Sequence, residues 1–82
     1  MQDIVRIRYF ARLREVAGKD FEDLTLNAAD DAGTIYGRLK TTHNFPYERN
    51  ELRVAINGQF ANFEIPLKDG DELAFIPPVA GG

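Results

Sequence analysis

No cysteine occurs among the 82 residues, so the chain can form no disulfide, no thiolate metal site and no cysteine nucleophile. Histidine is almost as scarce: His43 stands alone and cannot build a histidine metal cluster. Long apolar runs are missing, as is a charged-then-apolar leader, and the expectation is a soluble chain, unprocessed at its start and at home in the cytoplasm. An excess of basic residues is lacking too. The formal net charge is -3 and the pI is near 5.0, whereas phosphate binding needs clustered Lys and Arg, so nucleic acid is disfavoured as a ligand and protein partners are favoured. No Gly-rich phosphate loop, repeat or low-complexity segment interrupts the chain. Its length allows one small domain, near the lower size at which a core is self-sufficient without metals or disulfides.

What is present is mostly strand-like. Residues Ile4 to Phe10 alternate, with Val5, Ile7 and Tyr9 on one face and Ile4, Arg6, Arg8 and Phe10 on the other. Phe10 thus shares a face with two arginines, as a rim residue or as part of a docking surface. Ala11 to Ala17 carries Leu13, Val16 and Ala17 at helical spacing, with Gly18 placed to end the helix and Arg12, Arg14 and Glu15 outside. Phe21 to Asn27 forms a second strand with Leu24 and Leu26 on one face. Asp30 and Asp31 fit a solvated turn better than a catalytic dyad. Thr34 is the expected N-cap of the main helix, in which Ile35, Leu39 and His43, with Tyr36, make an apolar stripe ending before Pro46. Gly37 inside this helix costs about 1 kcal/mol relative to alanine, which implies close packing against a strand or a locally weak helix. His43 fits a helix C-terminus or surface position better than a catalytic one.

Phe45 to Glu51 reads as irregular. Leu52, Val54 and Ile56 then alternate into a strand that Asn57-Gly58 turns back as a hairpin, since a type I′ turn needs positive φ at both central residues. Gln59 to Phe63 returns as an edge strand. Asp69, Asp71 and Glu72 lack the ligand spacing of a calcium loop and fit a tight turn. In the last strand Leu73 and Phe75 alternate with Ala74 and Ile76, and Pro77-Pro78 must end it near Ile76, because proline fixes φ, lacks a donor and holds the preceding residue extended. From Pro77 to Gly82 the chain can reach about 20 Å at roughly 3.3 Å per residue. Gly81-Gly82 lacks Cβ atoms and can thread a narrow channel. An idle frayed end is the competing reading.

The segments Arg8-Tyr9-Phe10-Ala11-Arg12-Leu13-Arg14-Glu15, Val54-Ala55-Ile56-Asn57, Pro66 to Glu72 and Pro77-Pro78-Val79-Ala80-Gly81-Gly82 resemble the small, sulfur-carrying subunit of molybdopterin synthase. Tyr9 departs from the phenylalanine commoner there, and its hydroxyl then needs a partner. The resemblance implies an α+β, ubiquitin-like β-grasp domain over residues 1–76, with a four- to five-stranded mixed sheet, the last strand central and parallel to the first, and an extended tail over 77–82. It implies that a ubiquitin-activating-type adenylyltransferase, using ATP, converts the Gly82 carboxylate to an acyl adenylate and then to a thiocarboxylate. The large synthase subunit, in a heterotetramer of two small and two large subunits, would hold that sulfur against cyclic pyranopterin monophosphate for molybdenum cofactor biosynthesis. Gly82 and Gly81 are then the reacting residues, and Phe10, Arg14, Phe60, Ile76, Pro77, Pro78, Val79 and Ala80 the partner-binding ones. Neither a metal nor a permanently bound cofactor is expected on this chain, and neither nucleic acid nor membrane as a partner. Sulfur carriage for thiamine or tRNA thiolation, and ubiquitin-like protein modification, remain open alternatives.

Overall fold

The computed structural model describes residues 2–78. Strand β1 (Asp3–Tyr9) runs into helix α1 (Ala11–Ala17) and strand β2 (Phe21–Leu26). Helix α2 (Ala32–His43) follows, then a 3-10 turn η1 (Arg49–Glu51), and strands β3 (Arg53–Ile56), β4 (Gln59–Ala61) and β5 (Glu72–Ile76). The five strands lie in the order β2-β1-β5-β3-β4. β5 sits at the centre, parallel to β1 and antiparallel to β3, while β1 with β2 and β3 with β4 are antiparallel. This is the mixed β-grasp sheet of an α+β fold, and the central place of the last strand agrees with the expectation.

Alternation decides which side chains meet. Val5, Ile7 and Tyr9 of β1, Val54 of β3 and Leu73 and Phe75 of β5 are buried on the face that α2 covers with Ala32, Ile35, Tyr36 and Leu39. Tyr36 packs on Phe75 with centroids 5.2 Å apart and lies parallel to Phe45 at 6.1 Å. Its hydroxyl donates to the Tyr47 carbonyl at 2.7 Å, and burial pushes its pKa up to about 12. The hairpin turn is as the dipeptide demands, with φ 52 at Asn57 and 86 at Gly58.

Four details differ from the sequence reading. Phe10 is not in the first strand but caps α1, because the chain turns sharply there through Ala11 at φ 52. The N-cap of α2 is Asp31, not Thr34: the Asp31 carboxylate accepts from the Thr34 amide at 2.9 Å and Thr34 Oγ1 accepts from the Asp31 amide at 3.0 Å, a capping box one turn earlier. Gly37 is exposed and a Cβ there would meet nothing within 4 Å, so close packing does not explain it. Within the segment read as irregular, Arg49–Glu51 forms the 3-10 turn η1, while Phe45, irregular as expected, is a 1% exposed core residue.

Candidate functional site

Side chains not given to the core form the face turned away from α2. Strand register places Phe21, Arg8, Ala74, Ala55 and Phe60 in one row across all five strands. Two alanines make its floor low at the centre, and an exposed phenylalanine stands at each end: Phe21 at 45% and Phe60 at 67%. Beside this row Arg6 pairs with Asp23 at 2.9 Å, and Arg8, within it, pairs with Glu72 at 3.3 Å. The Arg6 guanidinium also lies 4.3 Å over the Phe21 ring. Its ion pair holds the exposed Asp23 below the usual carboxylate range. An apolar floor ringed by charges is the composition of protein interfaces, whose contact centres are apolar and whose rims are polar.

The exit of the chain lies at one margin of this face. Parallel pairing of Arg8 with Ala74 and Tyr9 with Phe75 brings Phe10 level with Ile76, the last residue of β5. Phe10, 43% exposed, is fixed by its carbonyl, which accepts from the Leu13 amide at 3.1 Å and the Arg14 amide at 3.4 Å. A groove of about 560 Å³ runs between Phe10, Ala11, Arg12 and Glu15 on one side and Ile76, Pro77 and Pro78 on the other, with Tyr47 at its edge. The structure thus brings Phe10, Ile76, Pro77 and Pro78 together. Phe60 lies apart, lining a separate hollow of about 270 Å³ with Arg53, Asn62 and Glu64. Arg14 faces Asp20 at 3.8 Å rather than the groove. Val79, Ala80, Gly81 and Gly82 lie outside the described residues. Sequence reasoning missed Tyr47, which an irregular segment carries to the groove without any periodic signal.

Two polar clusters hold this face in shape from behind. The Tyr9 hydroxyl donates to Glu22, whose carboxylate also lies 2.7 Å from His43 Nε2 and 3.8 Å from Lys19 Nζ. Burial and the Glu22 hydrogen bond push the Tyr9 phenol up. For Glu22, burial acts to raise the pKa, but hydrogen bonds from Tyr9 and His43 with the charge of Lys19 outweigh it and hold it low. Tyr9 therefore has the partner its hydroxyl requires, and His43 lies edge-on to the Tyr9 ring at 5.8 Å, neither free on the surface nor in the groove. At the start of β5, Asp71 is 3% exposed and accepts from the Lys68 amide and Asn57 Nδ2, both at 2.9 Å. Asp71 thus locks this turn onto the hairpin, while Asp69 accepts from the Ile4 amide at 2.7 Å. Among the described residues no group of three or more His, Asp or Glu is arranged to hold a metal ion, and no helix is long and apolar enough to cross a membrane.

Comparison with known proteins adds identity to this geometry. The model of the ThiS family matches residues 7–82. A relative from Dictyostelium discoideum, the molybdopterin synthase sulfur carrier subunit, is 35% identical, with 100% of each chain covered. Among solved structures, the small archaeal modifier protein 1 of H. volcanii superposes with a TM-score of 0.80 at 27% identity, over 94% of this chain and 99% of that one. A protein-protein complex of subunits 1 and 2 of the molybdopterin-converting factor from Helicobacter pylori contains a chain that matches with a TM-score of 0.63 at 28% identity, over 96% of this chain and 99% of that one.

Proposed function

The chain belongs to the ThiS family, and from that premise we propose that it is the sulfur carrier subunit of a molybdopterin synthase. The observation that carries this reading is the exit of a central strand, parallel to β1, through Pro77-Pro78 beside an apolar groove on the rim of an open sheet face. Pro77-Pro78 end the strand at this exit, and the face beside it is free to dock. The H. pylori complex, a pairing of subunits 1 and 2, supports the large synthase subunit as the partner.

The chemistry falls on the tail. The Gly82 carboxylate is a poor electrophile; attack on the α-phosphorus of ATP forms an acyl adenylate and releases pyrophosphate. Sulfur delivered at the sulfide oxidation level then displaces AMP and leaves a thiocarboxylate, a soft nucleophile at the end of an arm. Transfer of that sulfur to cyclic pyranopterin monophosphate on the large subunit, with water taking its place on the Gly82 carbonyl carbon, returns the carboxylate, so two loaded carriers supply the two dithiolene sulfurs. The adenylyltransferase and the large subunit would bring the groups that bind ATP and pterin, in an assembly of two small and two large subunits. Nothing in this cycle needs a cofactor resident on this chain.

The similarity to the small archaeal modifier protein favours a second reading, protein modification through the same activated glycine. Carriers for thiamine or tRNA thiolation would share the activation and differ in acceptor. Incubation with the large subunit, the activating enzyme, ATP and a sulfur donor separates them. The sulfur carrier reading expects a thiocarboxylate mass on this chain and its loss upon addition of the pterin substrate. Isopeptide adducts to lysines without sulfur transfer would support the modifier reading instead.

A further inference from the structure

Among the described residues, Arg53 is the one lysine or arginine of the 10 in the chain with no carboxylate within 4.0 Å. Its backbone pairs with Ile76, the residue before the proline pair, so its side chain leaves the open face one strand from the tail exit. The guanidinium carbon stands 5.6 Å over the ring of Phe60, the most exposed large hydrophobic residue described. Both line the hollow of about 270 Å³, where the nearby acid, Glu64, turns to Arg49 at 3.9 Å.

An arginine packed over a ring has lost part of its rotamer freedom already, yet keeps N–H donors for another group. Those donors form a fork that matches a carboxylate in two parallel hydrogen bonds. Val54 and Phe63 make the hollow partly apolar, and a net charge of -3 repels a polyanion. A single carboxylate carried on a protein loop fits both conditions.

We propose that Arg53, packed over Phe60, receives an aspartate or glutamate side chain of the large synthase subunit when the tail enters that partner. The proposal rests on the sulfur carrier reading and adds to it a charged contact on the β3–β4 side of the face. The pair supplies register: with Phe10 and Ile76 at one point and Arg53 at a second, rotation of the carrier about its tail is prevented.

The test is titration calorimetry against the large subunit of the same organism at about 50 mM and about 500 mM NaCl, a range over which surface charge is progressively screened. Arg53→Gln is expected to weaken binding about tenfold at low salt, with a smaller gap at high salt. Arg53→Lys keeps the charge without the fork and should recover only part of the loss. In a Phe60→Leu background the Arg53→Gln effect should shrink; if Phe60→Leu does not fold, the two Arg53 variants at two salts decide alone. Lys68→Gln, in the turn before β5 and away from the tail exit, serves as the control for net charge. Wild-type affinity in Arg53→Gln, a loss equal at both salts, or an equal loss in Lys68→Gln would overturn the proposal alone. No binding by the unmodified chain would overturn it together with the sulfur carrier reading.

Discussion

Replacing Asp71 by asparagine tests whether the start of the central strand is held by a buried charge. Asp71 joins three segments: its Oδ2 accepts from the Lys68 amide, its Oδ1 accepts from Asn57 Nδ2, and its backbone carbonyl accepts from the Arg6 amide at 3.0 Å. Asparagine keeps the shape but turns one acceptor into an NH₂ group, which must face one of the two donors. One charge-assisted hydrogen bond is therefore lost and a donor is left without a partner at a site 3% exposed. A hydrogen bond to a charged group contributes about 1.5–3 kcal/mol, so the expected loss is about 2 kcal/mol. Burial acts to raise the Asp71 pKa, yet the Lys68 and Asn57 hydrogen bonds and the Lys68 charge hold it below its ordinary 3.8. A depressed folded pKa gives stability that is fully present above the ordinary value and lost as pH falls through the folded one. The assay is urea unfolding of both proteins between neutral and strongly acid pH. The stability gap should hold near neutrality, narrow below about pH 3.8 and leave the m-value unchanged. A neutral-pH gap under about 0.5 kcal/mol would refute the reasoning.

Other expectations follow from the same contacts. Tyr9→Phe should cost about 1 kcal/mol by urea unfolding, and should let the Glu22 pKa rise toward its ordinary 4.5, so that Glu22 contributes less to the loss of stability as pH falls below about 4.5. Ala11→Gly should stabilise the fold by about 0.5 kcal/mol in thermal melts, since it relieves a φ of 52 that glycine adopts freely but gives the unfolded chain more freedom. Ile76→Asp should weaken the complexes with both the large subunit and the activating enzyme by more than about 1 kcal/mol in calorimetry, because it charges the groove between Phe10 and Pro77. Arg14→Gln should chiefly slow association and flatten its salt dependence in stopped-flow mixing, as a rim charge does.

Much of this architecture was legible because the strands alternate cleanly. Val5, Ile7 and Tyr9, or Leu73 and Phe75, can be buried only if Arg6, Arg8, Ala74 and Ile76 turn outward, and the structure follows that parity. Asn57-Gly58 announced its hairpin through backbone angles few other residues tolerate. Helix ends were harder. Asp31 and Thr34 are both good caps, and the structure uses both reciprocally, with Asp31 at the cap and Thr34 three residues inside the helix. Phe45 carried no signal, since a lone aromatic in an aperiodic stretch looks the same whether it faces water or stacks beside Tyr36. The groove shows the same division. Phe10 and Pro77-Pro78 stood out in the sequence, but Tyr47 enters from another part of the chain, and the separation of Phe60 from the groove follows from the width of two strands rather than from any local pattern. Arg53 became conspicuous only when every other lysine and arginine was seen with its acid.

The claim that Gly82 carries sulfur is tested most directly by the mass of the intact chain. The protein is incubated with the activating enzyme, ATP and a sulfur donor, then mixed with the large subunit and cyclic pyranopterin monophosphate. The account predicts the mass increase of a single oxygen-to-sulfur exchange at the C-terminal residue, reversed as the pterin gains sulfur, and predicts neither step in a chain lacking Gly82. Sulfur transfer at the normal rate from the chain without Gly82, or an unchanged mass in the intact chain, would contradict it.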